Sequence, residues 1–271
     1  MFSIPVLMYH HISDDREITL KGFERQLRYL KEQNYYTPSL EEFYLHITGQ
    51  KLLTKKSVLI TFDDGYVNNW ICAYPLLKEY EFRAVVFVTT QNIERSLKVI
   101  RPTTEDGEKS PDTRTDERGD DKFLSWEELK VMVEDDIFEI GSHTHTHKNF
   151  NKTSDYADIE RELEISRDLI KKNTNYNPVS IAWPWGHYKK NYIPAAKASG
   201  YKLAFTTDGG ANTVGINPYK IFRFKMQKDD ISWFKIRLKV YQNPILAKIY
   251  GSVYGLDAKI KKLVTNLLDL G

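Results

Sequence analysis

The chain has 271 residues, a formal net charge of +2 and 41% hydrophobic residues. It is therefore long enough to bury a full core, either as one α/β barrel or as two domains. The net charge of +2 says little about partners, and we predict no nucleic-acid partner. The single cysteine, Cys72, excludes an internal disulfide, and we interpret it as a small buried hydrophobic residue.

The first predicted strand is the apolar run from Ile4 to Tyr9, which delivers His10 and His11 to its carboxyl end. It follows Met1 almost directly, without the basic region or the apolar core of about 7–15 residues that mark a signal peptide. The sequence also lacks an apolar span of about 18 residues. We therefore expect a protein that is cytoplasmic or peripheral to the inner membrane, and extracytoplasmic only if the chain is truncated.

The rest of the first half alternates between helix and strand. Apolar residues recur at helical spacing after Thr19, which can cap the helix, and Ser39 with Glu42 forms a capping-box pattern before a short second helix. Further along, residues 68–80 predict a helix and residues 83–89 predict a strand. This repeated order argues for a parallel sheet, open or closed.

A second strand, at residues 58–62, stops abruptly at Asp63 and Asp64, and Gly65 follows in a turn. Two adjacent carboxylates repel one another, so keeping both ionised usually requires a cation beside them. Other paired acids in this chain fall in polar loops, whereas this pair ends an apolar strand. The pair therefore predicts a metal site.

Three histidines, His143, His145 and His147, follow another short strand at residues 137–140. Neutral imidazole together with carboxylate is the usual ligand set of a catalytic zinc or a similar divalent ion. His143 and His147, four residues apart, are expected to share one face of a helical turn, with His145 pointing elsewhere. One carboxylate and two imidazoles leave coordination positions open for water, which is typical of a catalytic metal.

Residues 94–122 interrupt the alternation with many charges and few apolar residues. Because this insertion follows a strand, it emerges on the catalytic face, either as a lid over substrate or as a mobile insertion without a role in the chemistry. The second half then resumes with strands predicted near residues 179–183, 202–207 and 219–224, which gives about seven or eight strands in all.

Two motifs, Thr-Phe-Asp-Asp-Gly at 61–65 and His-Thr-x-x-His at 143–147, resemble those of the polysaccharide deacetylases with a NodB-type homology domain, carbohydrate esterase family four. The opening Pro-Val-Leu-Met-Tyr-His-His-Ile at 5–12 is similar to the branch of poly-N-acetylglucosamine deacetylases. Together these motifs cover roughly residues 4–225. Two motifs in the expected order are a specific signal, whereas either one alone is weak.

The resemblance implies a distorted (β/α) barrel with seven strands as the catalytic domain, which we expect over residues 1–228, followed by a C-terminal helical extension at 229–271. It also implies a metal-dependent hydrolase that removes the N-acetyl group from an N-acetylhexosamine glycan or glycolipid. The expected partner is thus an N-acetylated sugar polymer or a lipid-linked amino sugar. One alternative is an enzyme that deformylates or O-deacetylates a lipid-linked sugar. Another is a barrel that has lost its activity and only binds carbohydrate.

Several residue roles follow from the resemblance. Asp63 is the general base, and Asp64 is the metal ligand together with His143 and His147. The ion is expected to be Zn²⁺, with Co²⁺, Ni²⁺ or Mn²⁺ as alternatives. The backbone N–H of Trp185 is the expected oxyanion donor. The residues expected to contact substrate are Tyr66, Trp183, Pro184, Trp185 and His187.

The chain departs from the family pattern in two places. The usual late histidine is missing between residues 219 and 230, so we assign the general acid to His10, with His11 as the second choice. The arginine that usually orients the catalytic Asp is replaced by Ala182. Arg223, on the last predicted strand, is expected to reach the same carboxylate, and the alternative is an arginine with ordinary surface pairing.

The tail from residue 231 onward mixes basic and aromatic residues. A helical tail is suited to lie on an anionic membrane, through residues 231–256, or to cover the edge of the barrel. The alternation at residues 235–240 fits a strand equally well. Packing on the barrel is the more common outcome for such a segment.

Overall fold

The structure, a computed structural model, describes residues 2–96, 98, 100, 101, 103, 122–150 and 156–253. Most of the predicted insertion at 94–122 and the end of the predicted extension at 229–271 lie outside these residues. Among the described helices, none combines the length and the apolarity needed to cross a bilayer.

The described residues form one sheet of seven strands, in the order β6-β5-β4-β3-β2-β1-β7, with every neighbouring pair parallel. A parallel bridge between Phe205 and Ile221 brings the two outer edges of the sheet together just before β7. The predicted seven-stranded (β/α) barrel is confirmed. The strands are β1 (Val6–Tyr9), β2 (Leu59–Asp64), β3 (Ala84–Val88), β4 (Phe138–Ser142), β5 (Ser180–Ala182), β6 (Leu203–Phe205) and β7 (Phe224–Lys225).

Helices connect the strands and surround the sheet. The first two begin with the predicted caps, because the side chain of Thr19 accepts a hydrogen bond from Gly22 N and Ser39 forms a capping box with Glu42. The helix predicted at 68–80 begins with a π-helical turn. The helices are α1 (Leu20–Glu32), α2 (Leu40–Ile47), α3 (Tyr74–Glu79), α4 (Thr90–Arg95), α5 (Trp126–Glu134), α6 (Tyr156–Thr174), α7 (Tyr192–Ala198), α8 (Ile231–Gln242) and α9 (Pro244–Val253).

The strands are buried on both faces, which explains their continuous apolar runs. In β2, Ile60 and Phe62 join the cluster between sheet and helices, whereas Leu59 joins the cluster that fills the inside of the barrel. Because side chains alternate along a strand, Thr61 and Asp63 share the inward face with Leu59. The fold thus places the first carboxylate of the pair inside the barrel.

The described part of the extension, α8 and α9, is helical and packs on the barrel. The segment 235–240, for which strand and helix were both possible, lies within α8. Phe234 and Leu238 are buried in the same cluster as α1, and the Tyr241 ring stacks on Phe224 with centroids 4.4 Å apart. Membrane contact through this region remains a prediction.

Candidate active site

Asp63 and Arg223 form a buried ion pair inside the barrel. Arg223 Nη1 and Nη2 donate to the two carboxylate oxygens of Asp63 at 2.7 and 2.9 Å, and Nε donates to the carbonyl of Thr206 at 2.8 Å. Burial alone would raise the pKa of the Asp63 carboxyl, but the guanidinium lowers it below its ordinary value. The structure therefore brings Arg223, which directly precedes β7 on the far side of β1, to the predicted carboxylate.

Asp64, at the end of β2, meets two histidines that follow β4. Asp64 Oδ1 lies 3.4 Å from His143 Nε2 and 3.3 Å from His147 Nε2, and the three possible ligand atoms all lie within 4.8 Å of one another. Tetrahedral zinc with bonds of about 2.0–2.1 Å separates its ligand atoms by about 3.3–3.4 Å. The two distances from Asp64 Oδ1 to the imidazole nitrogens therefore fit a small divalent cation.

The protonation states of Asp64 and His143 also suit a cation. His143 Nδ1 lies 2.7 Å from the carbonyl of Ala182, and because a carbonyl only accepts, Nδ1 carries the proton and Nε2 is left as a ligand. Burial lowers the pKa of His143, which favours the neutral ring. Burial opposes ionisation of Asp64, but hydrogen bonding to His147 and the neighbouring histidine charges hold its pKa well below the usual range. The site thus offers one carboxylate and, at His143, a neutral imidazole, which are the forms that bind metal.

The two histidines do not share a helical face, so that prediction is wrong. They flank an irregular loop in which Thr144 and His147 have positive φ angles of 65° and 58°. Thr144 Oγ1 accepts from His147 N at 3.2 Å, which folds the loop back on itself. This reversal, rather than helical spacing, makes His143 and His147 converge. His145 points elsewhere, as predicted, with Nδ1 3.0 Å from Thr90 Oγ1.

His10 is close enough to the two carboxylates to interact with them electrostatically. It is half-buried at the end of β1, and its charge contributes to the lowered pKa of both Asp63 and Asp64. Asn69 Nδ2 donates to its main-chain carbonyl at 3.0 Å, which fixes the backbone at this point. This position is expected for a residue that donates a proton close to the predicted general base, Asp63.

His11 is turned into an aromatic stack instead. Its ring lies on Tyr66 with centroids 3.7 Å apart, and Tyr66 in turn stacks on Phe123 at 5.2 Å. Its Nδ1 lies 3.1 Å from Asn68 Nδ2. Burial, with the nearby Arg16 and His10 charges, lowers the pKa of His11 to about 4, so the ring is neutral near pH 7. His11 is therefore poorly suited to donate a proton.

The predicted substrate contacts divide into buried and exposed residues. Trp183 and Pro184 are buried, and the indole of Trp183 is stacked against Tyr188 in the core, so neither offers a face to a sugar and both predictions are wrong. Trp185 is 63% exposed, and its ring lies 5.5 Å from that of His147. His187 is half-buried, with Nδ1 3.1 Å from Asn149 Oδ1.

Three contacts around the site are not predicted by the sequence. The main-chain carbonyl of Ala182 orients His143. Because this contact does not involve the side chain, the residue type at position 182 does not predict it. Phe123, which directly follows the predicted insertion at 94–122, extends the ring stack. Glu162 is a buried acid in α6 whose carboxylate accepts from the loop between the histidines. The position of Glu162 among the apolar residues of α6 is the sequence feature that indicates a buried acid.

A barrel of parallel strands with its polar residues at the carboxyl ends has the arrangement of an α/β-barrel enzyme. The family model described as polysaccharide deacetylase matches residues 50–204. The chain therefore belongs to the polysaccharide deacetylase family, and the resemblance to this family noted in the sequence is confirmed.

Individual proteins agree with this assignment. The poly-beta-1,6-N-acetyl-D-glucosamine N-deacetylase of Staphylococcus aureus (strain MRSA252) is 27% identical over 224 residues, which are 78% of this chain and 68% of the relative. The Streptococcus pyogenes deacetylase PplD, solved in complex with acetate, is 27% identical with a TM-score of 0.68, over 82% of this chain and 92% of PplD. IcaB from Ammonifex degensii, 22% identical, shares the fold with a TM-score of 0.70 over 87% of this chain and 96% of its own.

Proposed function

We propose that the chain is a metal-dependent N-deacetylase that acts on a polymer containing N-acetylglucosamine. The observation that carries the proposal is the convergence of Asp64, His143 and His147 on one point, with the ion-paired carboxylate of Asp63 next to them. The relative from Staphylococcus aureus, named a poly-beta-1,6-N-acetyl-D-glucosamine N-deacetylase, supports the substrate class.

Asp64, His143 and His147 would hold the cation. A divalent cation supplies Lewis acidity, which lowers the pKa of water and polarises an amide carbonyl. The lowered pKa of Asp63 keeps it ionised near neutral pH, so it is ready to accept a proton from the attacking water. The bidentate contact with Arg223 fixes the plane of this carboxylate and leaves its remaining lone pairs for the proton.

The leaving amine needs a proton as its bond to the acetyl carbon breaks. His10, close to the same two carboxylates, is the donor, and acetate and a protonated or neutral amino sugar are the products. The backbone N–H of Trp185 is the proposed donor to the oxygen that gains negative charge. The exposed Trp185 ring, which lies next to His147, and the Tyr66 ring, which stacks on His11, are both suited to contact a sugar face.

The test is release of acetate from oligomers of β-1,6-linked N-acetylglucosamine, measured with the full chain before chelation, after chelation and after adding back Zn²⁺ or Co²⁺. We expect acetate release that is lost on chelation and restored by metal. Parallel assays with N-formyl and O-acetyl sugars identify the acyl group that is removed and show whether it is attached through nitrogen or oxygen. The matched variants are Asp64→Asn, expected to be inactive, and Asp208→Asn, a 56%-exposed acid outside the cluster that is expected to keep full activity. A metal-loaded chain that releases no acetate contradicts the proposal.

A further inference from the structure

A buried carboxylate, Glu162 of α6, lies against the loop that joins His143 to His147. Its Oε2 accepts from the backbone N–H groups of His145 and Thr146 at 3.0 and 2.7 Å, and its Oε1 accepts from Thr146 Oγ1 at 2.6 Å. The side chain is only 6% exposed, and Lys148 Nζ lies 3.9 Å from Oε1. Three donors from one loop thus converge on a single buried anion.

The same helix contacts the loop a second time. Ser166, one turn after Glu162, has its Oγ 2.8 Å from Ser142 Oγ, and Ser142 Oγ accepts from Thr144 N at 3.0 Å. Thr144 is β-branched and adopts φ 65°, a conformation that such residues rarely adopt without support from their surroundings. Glu162 and Ser166 therefore anchor the loop on both sides of its most strained residue.

The anchored residues do not themselves belong to the proposed ligand set. Glu162 contacts the backbone of His145 and Thr146, while the neighbouring His147 supplies the nitrogen that lies 3.3 Å from Asp64 Oδ1. Because His147 also has a positive φ, its ring position depends on how the preceding two residues are held. A hydrogen-bonded support behind a ligand typically fixes the ligand's orientation and strengthens metal binding.

We propose that Glu162 is a positioning residue that holds the 144–147 loop in the conformation that binds the cation, and so sets the affinity of the site for a divalent metal. The inference deepens the proposed function and depends on its metal site. A carboxylate is needed because it accepts from all three donors, whereas a glutamine turns an N–H₂ group toward some of them. Ionised acceptors also bind backbone N–H groups more strongly than neutral ones.

The test compares Glu162→Gln with Glu164→Gln, a matched control on the exposed face of the same helix. Zn²⁺ affinity is measured by competition with a chromophoric chelator, and the ligand geometry by the visible absorption of the Co²⁺ form. We expect Glu162→Gln to lose about 10–100-fold in affinity and to change the Co²⁺ spectrum. Glu164→Gln should match the wild type. A folded Glu162→Gln chain with wild-type affinity and spectrum overturns the proposal.

Amide hydrogen exchange in the metal-free chain provides a readout that is independent of metal and of activity. The amides of His145 and Thr146 should exchange faster in Glu162→Gln than in the wild type or in Glu164→Gln, because their acceptor is weakened.

A second variant, Thr146→Val, covers the case in which Glu162→Gln does not fold. It removes one of the three donors and should cause a smaller, few-fold loss of metal affinity. Unchanged exchange and affinity in Thr146→Val contradict the inference. A wild-type chain that binds no metal overturns the proposed function, while the exchange rates still decide whether Glu162 holds the loop.

Discussion

Arg223 and Asp63 pair through two parallel hydrogen bonds of 2.7 and 2.9 Å in the interior of the barrel. The arginine directly precedes β7 and the carboxylate lies in β2, so the pair spans β1 between them. Both side chains are buried, which makes the fork geometry and the charge of arginine difficult to replace.

Replacing Arg223 with lysine should raise the pKa of Asp63, because an ammonium cannot reproduce the bidentate contact. A base with a depressed pKa is active above that pKa and loses activity as the pH falls through it. The acidic limb of the kcat/KM profile should therefore move to higher pH in Arg223→Lys. Arg25→Lys, which alters an exposed pair with Asp229, is the matched control and should leave the profile unchanged. Coincident profiles for Arg223→Lys and the wild type contradict the assignment.

Variants of the two adjacent carboxylates, Asp63 and Asp64, should have different phenotypes. Asp63→Asn should retain bound metal but lose about 10²–10⁴-fold in kcat, the range for removing a general base. Asp64→Asn should lose the metal itself, because it removes the one anionic member of the Asp64, His143 and His147 cluster. Metal content per chain by mass spectrometry, measured beside kcat, distinguishes the two. Equal metal loss in both variants argues that Asp63 is a ligand and not a base.

The convergence of this site could be predicted because parallel strands bring their carboxyl ends to one edge of the sheet. Asp64, the last residue of β2, and His143, which directly follows β4, therefore lie at the same edge of the sheet. The loop conformation could not be predicted, since nothing in the sequence marks Thr144 or His147 for a positive φ. The pairing of Arg223 with Asp63 depends on the closing edge of the barrel, which short-range patterns do not specify.

His10 and His11 provide the sharpest choice between adjacent residues. His10→Ala should abolish turnover and leave the metal content intact, because His10 is close to the two carboxylates without belonging to the ligand cluster. His11→Phe should retain most of the activity, since phenylalanine preserves the stacking on Tyr66. Single-turnover acetate release with both variants is the measurement. A larger loss in His11→Phe than in His10→Ala would transfer the acid role to His11.

Trp183 and Trp185, which are separated by one proline, should affect different properties when each is replaced by alanine. Trp183→Ala should lower the free energy of unfolding by about 3–5 kcal/mol, because the indole is fully buried in the core. Trp185→Ala should leave stability nearly unchanged and raise KM for oligomers, because its exposed ring lies next to His147. The φ of 60° at Trp185 reverses the chain there and explains why burial changes so sharply. Denaturant unfolding and steady-state kinetics on both variants test this, and an unchanged KM in Trp185→Ala removes Trp185 from the substrate site.

Peripheral binding to an anionic membrane is the remaining prediction for the extension. Ile245 and Ile249 of α9 are 69% and 50% exposed, and Lys248 lies between them on the same exposed face of the helix. Because Phe234 and Leu238 of α8 are part of the core, deleting the extension would damage the barrel, and surface variants are the better test. We expect the wild-type chain to co-sediment with anionic vesicles, less so at high salt, and the Ile245→Ser/Ile249→Ser double variant to remain in the supernatant. Leu52→Ser, at a 58%-exposed leucine outside this helix, is the control. Equal partitioning of the wild type and the double variant excludes α9 as a membrane contact.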